Sequence, residues 1–257
     1  MSLSTVTHLF SPQGVIMVAP RDAVTGVANK FTDLGNAPKL AVSLKIDVEE
    51  LKESTTGQRL PMARLEKAKS AEVSMSLHNF DKRTLQLLLR SASVSAIAGS
   101  VTDELTPTGL VAGDIVRLAH PFVSAVVVTD STGTPQTVDA THYQLDADGG
   151  VIRFTNVGTF VQPFKIDYSY AAAESTPMMT LAAQGYTLLF TGVNTAEGND
   201  PVVVELYNVV FDPASNIDLI TDNVTPFELK GSMLIDSFKS AGDTTFGQFG
   251  RIVKKAA

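Results

Sequence analysis

The chain of 257 residues contains no cysteine and no tryptophan, and only 18% of its residues are charged. Without cysteine it can form no disulfide, thiolate nucleophile, zinc knuckle or iron–sulfur cluster. Lysines and arginines number 20 against 27 aspartates and glutamates, which gives a formal net charge of −7. Because the pI is near 5.1 and basic residues form no dense tract, the composition argues against a dedicated nucleic-acid-binding protein.

Long apolar runs are also missing from the sequence. No segment approaches the roughly 18 consecutive apolar residues that a membrane-spanning helix needs, and the apolar patch at residues 15–19 is too short for the core of a signal peptide. Hydrophobic residues nevertheless make up 44% of the chain. We therefore expect a soluble, folded protein without membrane contact, part of whose apolar surface is buried between subunits.

Alternation of apolar and polar residues dominates the rest of the chain. Leu40–Val48 and Ala71–Leu77 place apolar side chains at every second position, which predicts strands with one apolar and one hydrated face. Strands of this kind are typical of antiparallel sheets. Further strands are predicted at Met179–Thr191, Val202–Phe211 and Phe227–Ile235.

One segment departs from this alternation. Between Asp81 and Ser91, leucines fall at helical spacing and basic residues lie elsewhere around the helical wheel, which predicts an amphipathic helix. Either Asn79 or Asp81 can cap its first free N–H groups. Its apolar face should pack on the strand that precedes it. The residues of that face are Leu85, Leu88, Leu89 and Ala92.

Residues 101–171 differ from the rest, being rich in threonine, valine, glycine and aspartate. Turn signals, such as Asp-Gly-Gly at 148–150, separate several short strands. We predict an all-β insertion at 101–171 within a core domain of residues 1–100 and 172–257. Its predicted strands include Val123–Thr129, Gln136–Thr141, His142–Asp146, Val151–Phe154 and Phe164–Tyr170.

Motifs of catalytic chemistry do not occur in the sequence. The four histidines are scattered, and there is no Gly-rich phosphate loop, no G-x-S-x-G elbow and no H-E-x-x-H helix. We therefore expect a protein that is not an enzyme and has no catalytic residues, no cofactor and no metal. An enzyme with an unrecognised site stays open as an alternative, and it would show a deep pocket with convergent titratable groups.

Several motifs, in their order along the chain, resemble the major tail tube proteins of long-tailed (siphovirus-like) bacteriophages. A Gly-Asn turn at 35–36 leads into a strand, and the loop Glu53-Ser-Thr-Thr-Gly-Gln-Arg59 follows. A second strand then runs into the predicted helix at Asn79–Leu89. The other similar segments are Gly14–Arg21, Val203–Pro213, Phe227–Gly231 and Gly247–Arg251.

The resemblance implies a mainly β subunit, an antiparallel β-sandwich or open barrel with one flanking α-helix. Six copies would form a homohexameric ring, and stacked rings would form the tube through which the genome leaves the virion. The protein would be located in the phage tail after assembly in the cytoplasm of the host bacterium. Its implied partners are further copies of itself, a tape measure protein, tail terminator and distal tail proteins, and double-stranded DNA in transient, non-specific passage.

The dimensions of such a ring leave room for DNA. If each subunit contributes four strands, as the resemblance implies, about two dozen strands ~4.8 Å apart and tilted by ~45° form a circle roughly 50 Å across. About 40 Å then remains inside the side chains, which is ample for a duplex roughly 20 Å wide. A basic lining would hold the phosphates, so the lining should be polar and not basic.

The hydrated faces of the two clearest strands fit such a lining, apart from Lys45, which is basic. The alternative is that this face meets bulk solvent in a monomeric sheet. The predicted lumen-facing residues are Ser43, Asp47, Glu72, Ser74 and Ser76, with Glu205 or its strand neighbours.

The segment Glu49–Lys69 interleaves acidic and basic residues. By resemblance this hairpin loop reaches the next ring, where opposite charges would fix the rotational register. An exposed, solvated loop is the alternative. The predicted inter-ring residues are Glu49, Glu50, Arg59, Arg64 and Lys67.

Two further alternatives stay open. The 101–171 insertion either projects from the outer wall of the tube, which its turn-rich composition slightly favours, or adds strands to the core sheet. The whole protein could also be an extracellular β-sandwich binding module of the adhesin or carbohydrate-binding type. Aromatic residues make up only 7% of the chain and tryptophan is absent, which argues against a sugar-binding platform.

Overall fold

The computed structural model describes residues 9–240 and 242–255. Strands make up 47% of it and helix 4%, which confirms the predicted mainly β class with one α-helix. The chain divides into two compact units. The core unit contains the chain up to Ala92 and from Thr176 onwards, and the inserted unit is Ser93–Ser175.

Strands follow one another along most of the chain, interrupted by a single α-helix within the described residues. In chain order the elements are β1 (Pro12–Pro20), β2 (Thr32–Asp33), β3 (Lys39–Lys52), β4 (Pro61–Leu77), α1 (Lys82–Leu89), β5 (Val94–Ala96), β6 (Gly99–Leu105), β7 (Ile115–Arg117), β8 (Val123–Thr129), β9 (Tyr143–Asp146), β10 (Val151–Phe154), β11 (Lys165–Tyr170), β12 (Ala173–Ser175), β13 (Gly185–Asn194), β14 (Asp200–Phe211), β15 (Phe227–Met233) and β16 (Gly250–Lys254).

The core unit contains one antiparallel sheet. Its strand order is β2-β1-β13-β14-β15-β4-β3, and β16 pairs with β14. At one margin, β2 pairs with only two residues of β1, Met17 and Val18. At the other, β3 pairs along its whole length with β4 and with no second strand of the described chain. Both margins are therefore largely open.

One face of this sheet forms the hydrophobic core. Ile16, Met75, Leu188 and Leu229 come from four different strands and are almost fully buried in one cluster. Since β-strands alternate their side chains, the opposite face receives the residues between them. The helix adds Leu87 and Leu88 to the same cluster, which also contains Val73, Met75 and Leu77 of β4.

The helix begins and ends at identifiable caps. The carboxylate of Asp81 accepts a hydrogen bond from the Thr84 N–H at 2.7 Å, so Asp81 is the N-cap. Arg90, with φ of 49°, ends the helix in the left-handed conformation. The predicted apolar face is shifted, because the buried helix residues are Thr84, Leu87 and Leu88. Leu85 and Leu89 are only half-buried, and Ala92 lies beyond the helix.

Two predicted strands differ from the structure. The strand predicted from Met179 begins only at Gly185, because the Met179 and Leu181 N–H groups donate to the Leu89 and Arg90 carbonyls at 2.7 and 3.1 Å. These bonds satisfy the end of the helix instead of a sheet. The strand predicted at Gln136–Thr141 does not form. Thr137 makes an isolated β-bridge with Thr129, and the segment ends in a 3₁₀ turn whose Thr141 N–H donates to the Asp139 side chain.

The inserted unit is built entirely from β-strands and turns apart from that 3₁₀ turn. Its sheets have the orders β7-β10-β9 and β6-β11-β8, and its terminal strands β5 and β12 pair with each other. Phe154 and Phe164 stack in its own core with ring centroids 4.8 Å apart. Because these strands pair only among themselves, they do not extend the core sheet.

A buried ion pair lies directly after the end of β1 in the core unit. The guanidinium of Arg21 bonds to Asp236, and the two side chains are 8% and 5% exposed. Replacing Asp236 by alanine leaves a buried cation unpaired, so we expect a loss of about 3–5 kcal/mol in the free energy of unfolding. Urea unfolding of the wild type and of Asp236→Ala measures this loss in the free energy of unfolding. Asp222→Ala, at an exposed position, should change stability by less than about 0.5 kcal/mol, and an equal effect of both variants would contradict the expectation.

A buried tyrosine in the inserted unit, Tyr168, should lose its proton only at unusually high pH. Burial, helped by a 2.5 Å hydrogen bond from the Tyr168 hydroxyl to Glu104, raises the Tyr168 pKa to about 12. Because the folded state favours the neutral phenol, the stabilisation is present below the ordinary pKa of 10.0 and is lost as pH rises through about 12. The phenolate absorbance difference between the wild type and Tyr168→Phe reports this group, and a midpoint near the ordinary value would refute the assignment.

Candidate assembly surface

Three neighbouring strands, β15, β4 and β3, present a polar face opposite the core. In one cross-strand row, Ser43 lies opposite Glu72 and Glu72 lies opposite Ser232. In the next row, Ser74 lies opposite Lys230. Because side chains alternate along each strand, these rows share one side of the sheet. The structure therefore brings the two predicted strands and β15 together in a single polar surface.

Four of the five predicted lumen residues reach this surface. Ser43, Asp47 and Glu72 are exposed, and Ser74 is half-buried. Ser76 needs a correction, because its side chain is only 4% exposed.

Glu228 explains why Ser76 is covered. It lies directly opposite Ser76 on β15 and accepts a hydrogen bond from its hydroxyl at 2.5 Å. The polar face thus presents a carboxylate in this row where a hydroxyl was predicted. The sequence alone could have placed Glu228 and Lys230 on this polar face, because both alternate with the apolar residues of Phe227–Gly231.

Glu205 does not present a free carboxylate. Its two oxygens accept hydrogen bonds from Arg251 on β16, at 2.7 Å from Nε and 3.3 Å from Nη2. The same hydrogen bonds raise the pKa of Arg251. Bidentate pairs of this kind fix both side chains, so the charge of Glu205 is neutralised within the subunit.

The charge of the polar face is close to neutral. Lys45 is the basic residue that did not fit the predicted polar lining. Its Nζ lies 2.9 Å from Oδ1 of Asp47 on the same strand, and the hydrogen bond to this carboxylate raises the pKa of Lys45. Carboxylates outnumber lysines on the face, so it is not basic. Its carboxylates are Asp47, Glu72, Asp212 and Glu228, and its lysines are Lys45 and Lys230.

The strands β3 and β4 continue beyond the sheet as a two-stranded hairpin, which we call the hairpin arm (residues 45–70). β15 pairs with β4 only over Ala71–Leu77, so residues 61–70 pair with β3 alone. Every residue of the arm except Glu53 is exposed, so no other part of the described chain covers either face. Isolated two-stranded hairpins are marginally stable in water, so the arm is a candidate surface for contact with another chain.

The arm corrects the predicted loop at Glu49–Lys69. Most of this segment is strand, and only residues 53–60 form the turn. Cross-strand charge pairs hold the strands together. The Nζ atom of Lys67 lies 2.5 Å from Oε2 of Glu49, and Glu50 lies opposite Arg64. The fifth predicted residue, Arg59, lies in the turn with a left-handed φ of 52°.

The turn of the arm is organised by Glu53. Its carboxylate accepts hydrogen bonds from the backbone N–H groups of Thr55 and Thr56, at 2.8 and 2.9 Å, and from both threonine hydroxyls. These bonds favour the ionised carboxylate and lower the pKa of Glu53 to about 2. The tip of the arm therefore keeps this order at any pH above the ordinary range of a glutamate.

An exposed apolar row follows the other side of β3. Leu44 is 76% exposed and Ile46 is 46% exposed, and Val42 and Val48 extend the row in both directions. Apolar side chains also occur near the tip of the arm. An exposed apolar row at an open sheet margin marks a surface that pairs with another chain. The apolar side chains near the tip are Leu51, Leu60, Met62 and Leu65.

The described residues contain no group of three or more histidines, aspartates or glutamates that could hold a metal ion. The same part of the chain has no helix long and apolar enough to cross a membrane. His78, His120 and His142 have separate surroundings: the first contacts Asn36, and the other two pack on the rings of Tyr170 and Phe160.

Comparison with known proteins gives a family but no described activity. No curated protein matches the chain. The model of a family described as "Protein of unknown function UCP028589" matches residues 9–253, a range that includes the hairpin arm and all of the sheet except Lys254. Because this match covers nearly the entire chain, the protein belongs to the UCP028589 family.

Proposed function

We propose that the protein is a structural virion subunit that polymerises, as stacked hexameric rings, into the tail tube of a long-tailed bacteriophage. The hairpin arm carries this proposal. It extends from an open sheet margin with both faces exposed and with an apolar row along β3. A subunit that functions alone would leave this surface in water, whereas neighbouring copies in a ring would cover it.

The polar face supplies the lining of the tube. The face lies on β15, β4 and β3, and β14 is next to β15 in the same sheet. Six copies of these four strands would present about two dozen strands, the number for which a bore of about 40 Å follows from strand spacing and tilt. The face carries more carboxylates than lysines, and it would repel DNA instead of holding it. In this lining Ser43, Asp47, Glu72 and Ser74 face the lumen, and Glu228 takes the place predicted for Ser76.

The hairpin arm makes the contacts between subunits and between rings. Burial of the Leu44 and Ile46 row supplies the hydrophobic part of the contact. Arg59 at the tip, with Glu49, Glu50, Arg64 and Lys67 along the strands, supplies charges that fix register between rings.

The remaining partners follow from the tail-tube resemblance. A tape measure protein occupies the bore before ejection, tail terminator and distal tail proteins close the two ends, and double-stranded DNA passes without specific binding. Assembly takes place in the cytoplasm of the host bacterium, and the mature protein resides in the phage tail.

Electron microscopy of the purified protein over a range of concentrations tests this function. We expect hollow rings with six-fold symmetry, or rods built from such rings, at high concentration. Sedimentation velocity on the same samples should show a concentration-dependent shift from the subunit to a hexamer or longer species. A single monomeric species at every concentration, with no hollow particles, would overturn the proposal.

A further inference from the structure

A long loop of the core unit exposes two large apolar side chains. Residues 212–226 connect β14 to β15 without a helix or strand, and connections of this length in compact domains are usually functional. Leu219 is 89% exposed and Ile220 is 96% exposed. Asp218 and Asp222 flank them, so the exposed pair has an acidic residue on each side.

The loop is ordered by hydrogen bonds of its own. The Asn216 side-chain amide donates to Asp218 at 2.7 Å, and the Thr221 hydroxyl donates to the Asn223 carbonyl at 2.9 Å. These bonds fix the backbone on both sides of Leu219 and Ile220. The pair is therefore presented to solvent by an organised turn, although water is an unfavourable environment for such side chains.

The same unit contains an apolar groove of about 700 Å³, a size that accommodates a short peptide segment. Its rim includes the cation Lys39, and Lys254 lies on the same face of β16 as the lining residue Ile252. Aspartate and glutamate are absent from the described lining. The larger apolar side chains of the groove include those of Phe10, Ile16, Leu40, Phe190, Val204 and Ile252.

We propose that Leu219 and Ile220 of one copy dock in this groove of a second copy. The apolar pair fills the groove, and Asp218 and Asp222 lie beside the cations at its rim. Because two different surfaces meet, the contact is heterologous and repeats from copy to copy, closing into a ring or continuing as a filament. The inference rests on the proposed function, because it places the contact between neighbouring copies of an assembly. The contact that it assigns lies outside the hairpin arm.

Cysteine cross-linking tests the contact directly, since the chain has no cysteine of its own. A copy carrying Ile220→Cys is mixed with a copy carrying Ile252→Cys under mild oxidation. Docking brings the two Cα atoms within the about 7 Å that a disulfide requires, so a covalent dimer of the two variants is expected. The matched control replaces the second variant by Val24→Cys, at a site 84% exposed elsewhere on the core unit, and should give only background cross-linking.

Charge reversal provides an independent measurement. Asp218→Lys with Asp222→Lys in one copy, or Lys39→Asp with Lys254→Asp in another, should each weaken self-association by about tenfold or more. Mixing the two variants restores complementary charges and should recover the association of the wild type. Equal association of all samples in sedimentation velocity would overturn the docking contact.

The remaining outcomes identify which segment occupies the groove. They also distinguish a failure of the docking contact from a failure of the tail-tube proposal. A disulfide formed only within one chain that carries both cysteines would show that the loop fills its own groove. Loss of association on deletion of residues 1–8, but not in L219S/I220S, would assign the groove to the terminal segment. Either result overturns docking. Hollow rings without the cross-link reject docking alone, whereas the cross-link without rings rejects the tube alone.

Discussion

Replacing Leu44 and Ile46 by aspartate is expected to abolish assembly while leaving the subunit folded. Both side chains are exposed in the subunit, at 76% and 46%, so charge at these positions costs the isolated fold little. In a ring the two side chains would be buried, and each contributes roughly 1.5–3 kcal/mol when it leaves water. The dissociation constant of the contact should therefore rise by roughly 10²–10⁴.

Sedimentation velocity and electron microscopy of L44D/I46D measure this loss, and thermal unfolding by circular dichroism checks the fold. A matched control is Val24→Asp with Val27→Asp, which places the same two charges at exposed apolar positions outside the arm. It should assemble like the wild type. Rings formed by L44D/I46D at wild-type concentrations would show that the apolar row does not lie between copies.

Lysines in place of Glu72 and Ser74 are expected to make the tube retain DNA. Both residues lie on the polar face of β4, and the double substitution adds three positive charges to each subunit, or about 18 to a hexameric ring. Because each neutralised phosphate adds salt-dependent affinity, duplex DNA should bind inside the bore at 50 mM salt. The binding should weaken by roughly 10³ or more at 200 mM.

Nuclease protection distinguishes this binding from adsorption on the outside. DNA held in the bore of E72K/S74K rods should resist digestion, and wild-type rods should protect none. Ser100→Lys with Asp148→Lys adds the same charge at exposed positions of the inserted unit, and DNA bound there should be digested. Equal protection by this control would mean that the polar face does not line a bore.

The alternation of β3 and β4 was sufficient to predict their strands and their two faces, but not their length. Beyond Val48 the sequence becomes highly charged, and charged residues are depleted in strands, which favoured a loop. The strands continue because opposite charges meet across the hairpin, as in the pair Glu49 and Lys67. That pairing depends on register, which the sequence of either strand alone does not reveal.

The corrections on the polar face have the same origin. Alternation correctly placed Ser76 on the polar side of β4, but Glu228 covers it from a strand 152 residues away in sequence. Arg251 pairs with Glu205 through a contact between β14 and β16 that no local pattern predicts. Local patterns thus identify which side of a strand a residue occupies, whereas burial and charge depend on long-range neighbours.

A side-chain-resolution electron microscopy map of the assembled rods tests the central claim most directly. We expect the bore to be lined by the hydrated surface of β15, β4 and β3, with Glu72 and Glu228 towards the axis. We also expect the Leu44 and Ile46 side chains to be covered by an adjacent copy. A map in which this surface faces outward or into another protein layer, or in which the apolar row borders the bore, would contradict the account.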